Sequence, residues 1–176
     1  AVNSYLFCDD LTLILCLMIA VVGGLICVYA VGYLKDYHHH HGDEVKDRRS
    51  FFCAMLFVFL GAMFGIVFSA NLIWMYFFWE ITSVVSFLLI GYTKTKEAVD
   101  NSFRALWMNL LGGVGFAAAI GYSALKLHIF NLQDLVASKD PVIVIPLLCL
   151  ALAALTKSAQ LPFSRWLMGA MVAPTP

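Results

Sequence analysis

The stretch Ala154-Leu155-Thr156-Lys157-Ser158-Ala159-Gln160-Leu161-Pro162 decides how this chain is read. It places one lysine, Lys157, inside an apolar run that begins at Val142. Only one other charge lies inside a long apolar run: Glu80, in the stretch Tyr76 to Ile90. The remaining Asp, Glu, Lys and Arg residues sit in polar connections or near the ends of runs. If the runs cross a bilayer, the chain carries one intramembrane acid and one intramembrane base.

Composition says that they do. The chain has 176 residues, of which 62% are hydrophobic and 12% charged, and its mean hydropathy is +0.87. Soluble domains carry nearer half apolar and a quarter charged residues. The formal net charge is zero and there is no basic stripe, which excludes an electrostatic nucleic-acid binder. Cys8, Cys16, Cys27, Cys53 and Cys149 are scattered without a C-x-x-C pair, and read as small buried hydrophobes. The chain lacks an initiator Met and a signal pattern and stops at Pro176, so it reads as a piece of a longer polypeptide.

A helix rises 1.5 Å per residue and needs about 20 residues to cross a ~30 Å hydrocarbon core. Five runs qualify, at 11–33, 51–69, 72–92, 103–125 and 142–161. The expected fold is therefore all-α, a polytopic transmembrane bundle of about five spans forming one membrane domain over residues 1–176. Asp9 and Asp10 suit the start of the first helix, because carboxylates complement the positive end of its dipole. Gly61 and Gly65 would let another helix approach closely if both face it. Pro162 lacks an N–H and clashes with the carbonyl four residues back, so the last span should break near it. Lys35 to Ser50 reads as a polar connection containing His38 to His41.

Orientation follows from the basic residues. Alternate connections put Lys35, Lys46, Arg48, Arg49, Lys94, Lys96, Arg104 and Arg165 on one side, against Lys126 and Lys139 on the other. The first side is expected to face the cytoplasm.

A charge near the bilayer centre costs roughly 2.5–3.5 kcal/mol on insertion scales, so such groups are paired, hydrated or functional. Glu80 and Lys157 have opposite signs, and their spans run the same way through the membrane. The bland reading is an ion pair that fixes packing, yet a buried pair is poor glue compared with apolar packing. The functional reading uses burial, which favours the neutral form of an ionisable group, against a nearby opposite charge, which favours the charged form. Changing either influence would switch Lys157 between holding and releasing a proton, with Glu80 as its controller. Ser158, Gln160 and Ser83 are candidates for an accessory proton path, and His128 for its outer end. Serines in membrane helices more often bond their own backbone. Adjacent histidines point in different directions, so His38 to His41 make a poor metal site, and neither a metal nor a cofactor is expected. The chain shows no nucleotide-binding loop, metal cluster or nucleophile–base arrangement.

Two long motifs add a resemblance. The run W-E-I-T-S-V-V-S-F-L-L-I-G-Y from Trp79 and the run T-K-S-A-Q-L-P-F-S-R-W-L-M-G-A-M-V-A-P-T-P from Thr156 resemble antiporter-like subunits. Such subunits occur in respiratory complex I, Mrp-type sodium/proton antiporters and membrane-bound group 4 hydrogenases. D-D-L-T at Asp9, Y-A-V-G-Y at Tyr29 and R-R-S-F-F at Arg48 fit the same pattern in order. The resemblance implies that Glu80 is the family's intramembrane glutamate and Lys157 the lysine of its broken helix. It implies that the spans are the third to seventh helices of a larger core. The chain departs from the pattern at Met168 and Gly169, where many members read Pro-Asp. It departs again at Ser164, where many have a histidine, and at Gly113, where the distal subunit of complex I often has an aspartate. Gly112-Gly113 looks more like the Mrp and hydrogenase branch.

The expected function is proton translocation by a subunit of a membrane-bound redox complex of the NADH:quinone oxidoreductase or hydrogenase type. That subunit would translocate rather than carry the redox catalysis. The rivals are a Mrp-type sodium/proton antiporter subunit and a non-pumping scaffold for a redox arm. The expected partners are other membrane subunits, the lipid bilayer, and protons or sodium, in a bacterial or archaeal inner or plasma membrane.

Overall fold

A computed structural model describes residues 6–41 and 47–174 of the chain, so that Lys46 of the basic side lies outside the described residues. Among these, seven α-helices follow in order: α1 Asp10–His41, α2 Arg49–Phe68, α3 Leu72–Ile90, α4 Lys96–Tyr122, α5 Leu132–Ala137, α6 Val144–Lys157 and α7 Arg165–Ala170. A π-helical turn, Ser123–Leu127, extends α4, and a 3-10 turn, Pro141–Ile143, leads into α6. Four helices are long and apolar enough to cross a membrane, and Pro141–Lys157 forms a shorter apolar helix. The fold is the all-α, polytopic bundle expected.

The starts of α1, α3 and α4 are capped by side chains. Asp9 accepts hydrogen bonds from the backbone N–H and hydroxyl of Thr12, both at 2.8 Å. The Thr12 N–H, chief among these donors, holds the exposed Asp9 carboxyl below the ordinary carboxylate range. Asn71 accepts from the Ile73 N–H at 2.9 Å, and Thr95 from the Ala98 N–H at 3.2 Å, opening α3 and α4.

Two helices run past their apolar stretches. α1 has 32 residues, about 48 Å of helix, and so exceeds the ~30 Å core it has to cross. Its last turn carries the histidines, which are helical where a polar connection was expected. α4 begins at Lys96, seven residues before the apolar run at Phe103.

Adjacent helices run up and down. At one end, Leu6 bridges Ser69 and Asn71 bridges Asn131. There Leu72 N–H donates to the Phe130 carbonyl at 2.8 Å and Leu132 N–H to the Ala70 carbonyl at 3.0 Å. The short α5 tucks Leu135 into the main apolar cluster with Leu72, Phe116, Ile143 and Ala153. The opposite end is closed by Leu34, Phe52 and Tyr92.

Glycines let α4 sit between α3 and α6. A Cβ at Gly112 would overlap the Thr156 hydroxyl, one at Gly113 would overlap Glu80 Oε1, and one at Gly115 would lie 3.1 Å from the Cys149 carbonyl. Gly61 and Gly65 do not act as a pair. Gly65 packs on the Phe78 ring, whereas Gly61 meets open space.

Candidate functional site

α6 has only 14 residues, about 21 Å, and stops at Lys157 before it could cross the core. Its end lies where Pro162 forbids continuation, since the carbonyl four residues back belongs to Ser158. Ala159 turns the chain with φ 53°, a left-handed conformation that a non-glycine residue adopts only at a cost. The freed Thr156 carbonyl accepts the indole N–H of Trp166 at 3.0 Å, which ties α7 back across the break. The break therefore leaves Lys157 in the last turn of α6, where the negative end of the helix dipole favours a cation.

Lys157 Nζ donates to Ser83 Oγ of α3 at 2.9 Å and lies 5.4 Å from the centre of the Trp79 ring. A lysine over an indole face is electrostatically attracted, the more so where water is excluded. Ser83 Oγ also donates to the Trp79 carbonyl at 3.2 Å, so its lone pairs are free to receive the ammonium. Glu80 lies three residues before Ser83, on the same side of α3. Its Oε1 is buried without a protein partner, facing the bare backbone of Gly113. Among the described residues no ion pair joins Glu80 to Lys157, although each lies within the other's electrostatic field. Lys157 thus meets α3 through Ser83 and Trp79, which lie on either side of Glu80 in the sequence, and not through the acid itself.

Of the sequence-predicted path residues, only Ser83 reaches the ammonium. Ser158 is exposed and donates back to the Ala154 carbonyl at 2.7 Å. Gln160 is exposed, and its backbone bonds Leu155 and Phe163 across the break. His128 is exposed in the left-handed cap of the π-helical turn, at the end of the bundle where α3 begins. Thr82 and Ser86 bond their own helix, donating to the Trp79 and Thr82 carbonyls at 2.7 and 2.8 Å. Trp79 was missed as a platform for the ammonium. Its place four residues before Ser83 and next to Glu80 was the available signal.

Residues 69–176 match the family model described as NADH:quinone oxidoreductase/Mrp antiporter, TM. The chain belongs to that family. Residues 1–44 also match a model described as NADH-Ubiquinone oxidoreductase (complex I), chain 5 N-terminus. Over 99% of its length the chain is 35% identical to Na(+)/H(+) antiporter subunit A1 of Staphylococcus haemolyticus, and 34% identical to the protein of that name in Staphylococcus aureus strain Newman. It spans 21% of the length of each of these relatives. Among solved structures, the Mrp complex from Dietzia sp. DQ12-45-1b matches 69% of this chain and 14% of its own chain, with a TM-score of 0.64 and 28% identity. The archaeal membrane-bound sulfane sulfur reductase shares the fold, with a TM-score of 0.67 over 73% of this chain and 27% of its own, at 18% identity.

Proposed function

We propose that this chain is the part of an antiporter-like membrane subunit that moves protons, with Lys157 as the switchable carrier and Glu80 as its electrostatic controller. The observation that carries the proposal is the placement of the Lys157 ammonium. It sits at the end of a broken helix, bonded to Ser83 and one turn of α3 away from Glu80. Protonated, Lys157 is held by Ser83, the Trp79 ring and the dipole of α6. Deprotonated, the neutral amine loses the ring and dipole attractions and is released from that position. Neutralising or displacing Glu80 removes the field that favours the ammonium, and the proton leaves Nζ.

The relatives named sodium/proton antiporter subunit A1 favour a Mrp-type parent over a redox complex. On this reading the helices are the third to seventh of a larger core, the partners are other membrane subunits, and the transported ions are protons and sodium. The end carrying Arg48 and Lys94 faces the cytoplasm of a bacterial or archaeal cell.

The test is made in the full-length subunit within its assembled complex, measuring ion translocation in everted membrane vesicles. Lys157→Met keeps most of the aliphatic length and should reduce translocation at least about tenfold while assembly is retained. Glu80→Gln should be comparably harmful. Lys157→Arg should rescue little, because guanidinium does not release its proton. A merely structural pair gives another pattern, in which the double variant Glu80→Gln, Lys157→Met recovers what either single change destroys. Full translocation by that double variant would refute the carrier role.

A further inference from the structure

α4 contains a buried polar side chain that the site described above does not use. Asn109 is 2% exposed, and its Nδ2 donates to the Ala105 carbonyl at 2.8 Å. That carbonyl can only accept, so the amide nitrogen must face it, and Oδ1 faces the other way. Oδ1 has no protein partner. A buried amide oxygen left without a donor is costly and asks for an explanation.

The packing of α4 shows what Oδ1 is placed to meet. On the α3 side, Gly91 meets Ser102 and Gly113 meets Glu80, which sets Asn109 level with Ser83 and Ser86. On the α6 side, Gly115 meets the Cys149 carbonyl and Gly112 meets Thr156. One further turn of α4 brings Asn109 level with the residues that follow Lys157. Ala105, the next turn along, packs with Ile90 and Trp166, so the far side of this depth is closed by apolar groups. Asn109 thus stands on α4 at the depth of the break and of Ser83 on the neighbouring α3.

Lys157 has three N–H donors, and Ser83 takes one of them. We propose that Asn109 is a positioning residue for the Lys157 carrier. Its carboxamide oxygen is the acceptor on the α4 side of the break, as the Ser83 hydroxyl is on the α3 side. The flexible four-carbon stem lets the ammonium swing between the two, and Asn109 holds it in the arrangement turned away from Ser83. The proposal rests on Lys157 being the carrier.

The test uses Asn109→Thr and Asn109→Val, which differ only by a hydroxyl against a methyl. Thr at this position can donate to the Ala105 carbonyl and still offer its oxygen, as Ser83 does toward Trp79 and Lys157. Both are measured in everted vesicles holding the assembled full-length complex, beside Lys157→Met, with the amount of complex checked by native gel. The expected result is that the Thr variant translocates at least about tenfold faster than the Val variant at equal assembly, the worth of a hydrogen bond to a charged group. Equal rates in the two variants, high or low, would overturn the role of Asn109 while leaving Lys157 as carrier if Lys157→Met is inactive. Unimpaired translocation by Lys157→Met would overturn both.

Discussion

The histidine run offers a quantitative test of how the end of the bundle nearest Arg48 is held. His38 is the member that joins other elements. Its side chain is 8% exposed, and its Nδ1 lies 2.9 Å from the Leu34 carbonyl. A carbonyl only accepts, so Nδ1 carries a proton, and in the neutral form of the ring Nε2 accepts from the Tyr92 hydroxyl at 3.2 Å. The Tyr92 oxygen in turn accepts the Arg48 backbone N–H at 3.3 Å, while Arg48 Nη2 donates to the Tyr92 carbonyl at 2.6 Å. This chain of bonds joins the ends of α1 and α3 to the residue preceding α2. Tyr92→Phe removes two longish hydrogen bonds, worth about 0.5–1 kcal/mol each, and leaves His38 Nε2 nearly buried without a donor. The expected loss is about 2 kcal/mol. His38→Leu removes the other half of the same bond. The double variant should therefore lose less than the sum of the single losses, with a coupling of about 1 kcal/mol. The assay is reversible unfolding of the purified full-length subunit in mixed micelles titrated with SDS, read by tryptophan fluorescence. His39→Ser and His40→Ser, at exposed positions, should stay within about 0.5 kcal/mol of the parent. Additivity of Tyr92→Phe and His38→Leu to within about 0.3 kcal/mol would refute the bond.

Gly113→Ala places a methyl group where Glu80 Oε1 now sits, so the carboxylate must swing away. Translocation should fall severalfold at normal assembly, whereas Gly121→Ala, facing open space, should leave it unchanged; equal effects would contradict the close approach of α4 to Glu80. In a cysteine-free background, Lys139→Cys should react with a membrane-impermeant thiol reagent from outside the cell, and Lys94→Cys only from the cytoplasm. Reaction of Lys139→Cys from the cytoplasm alone would reverse the orientation.

The apolar helices and the two charges inside them were legible because each leaves a local mark. A run of apolar residues is visible without knowing what it packs against, and a lone charge within it stands out. Polar turns hide their structure better. His38 to His41 looked like connection because they are polar, but helix needs only unbroken backbone hydrogen bonds, and nothing in the run interrupts them. The polar start of α4 was obscured in the same way, although Thr95 provides the cap. Gly61 and Gly65 are spaced for a single face, yet only Gly65 meets a neighbour, because spacing says nothing about which side that neighbour lies on.

The surroundings of Lys157 were legible only at Ser83, which its place near Glu80 suggested, and the rest was hidden for a related reason. Proximity in sequence suggested Ser158 and Gln160, but the helix ends at Lys157, so the rules that align side chains along a continuous helix stop applying there. The residue that receives the ammonium, Ser83, lies 74 positions away and is brought there by the packing of α3, α4 and α6 around bare glycine backbone. Gly112 and Gly113 are neighbours in sequence but face different helices, one toward Thr156 and the other toward Glu80. Two adjacent residues without side chains thus let both charged helices close on α4 at the same depth. A bulky side chain at Gly112 would push α6 outward and carry Lys157 with it, whereas one at Gly113 would displace only the carboxylate end of Glu80. The same class of substitution, one residue apart, should therefore disturb the base through its helix and the acid through its side chain alone.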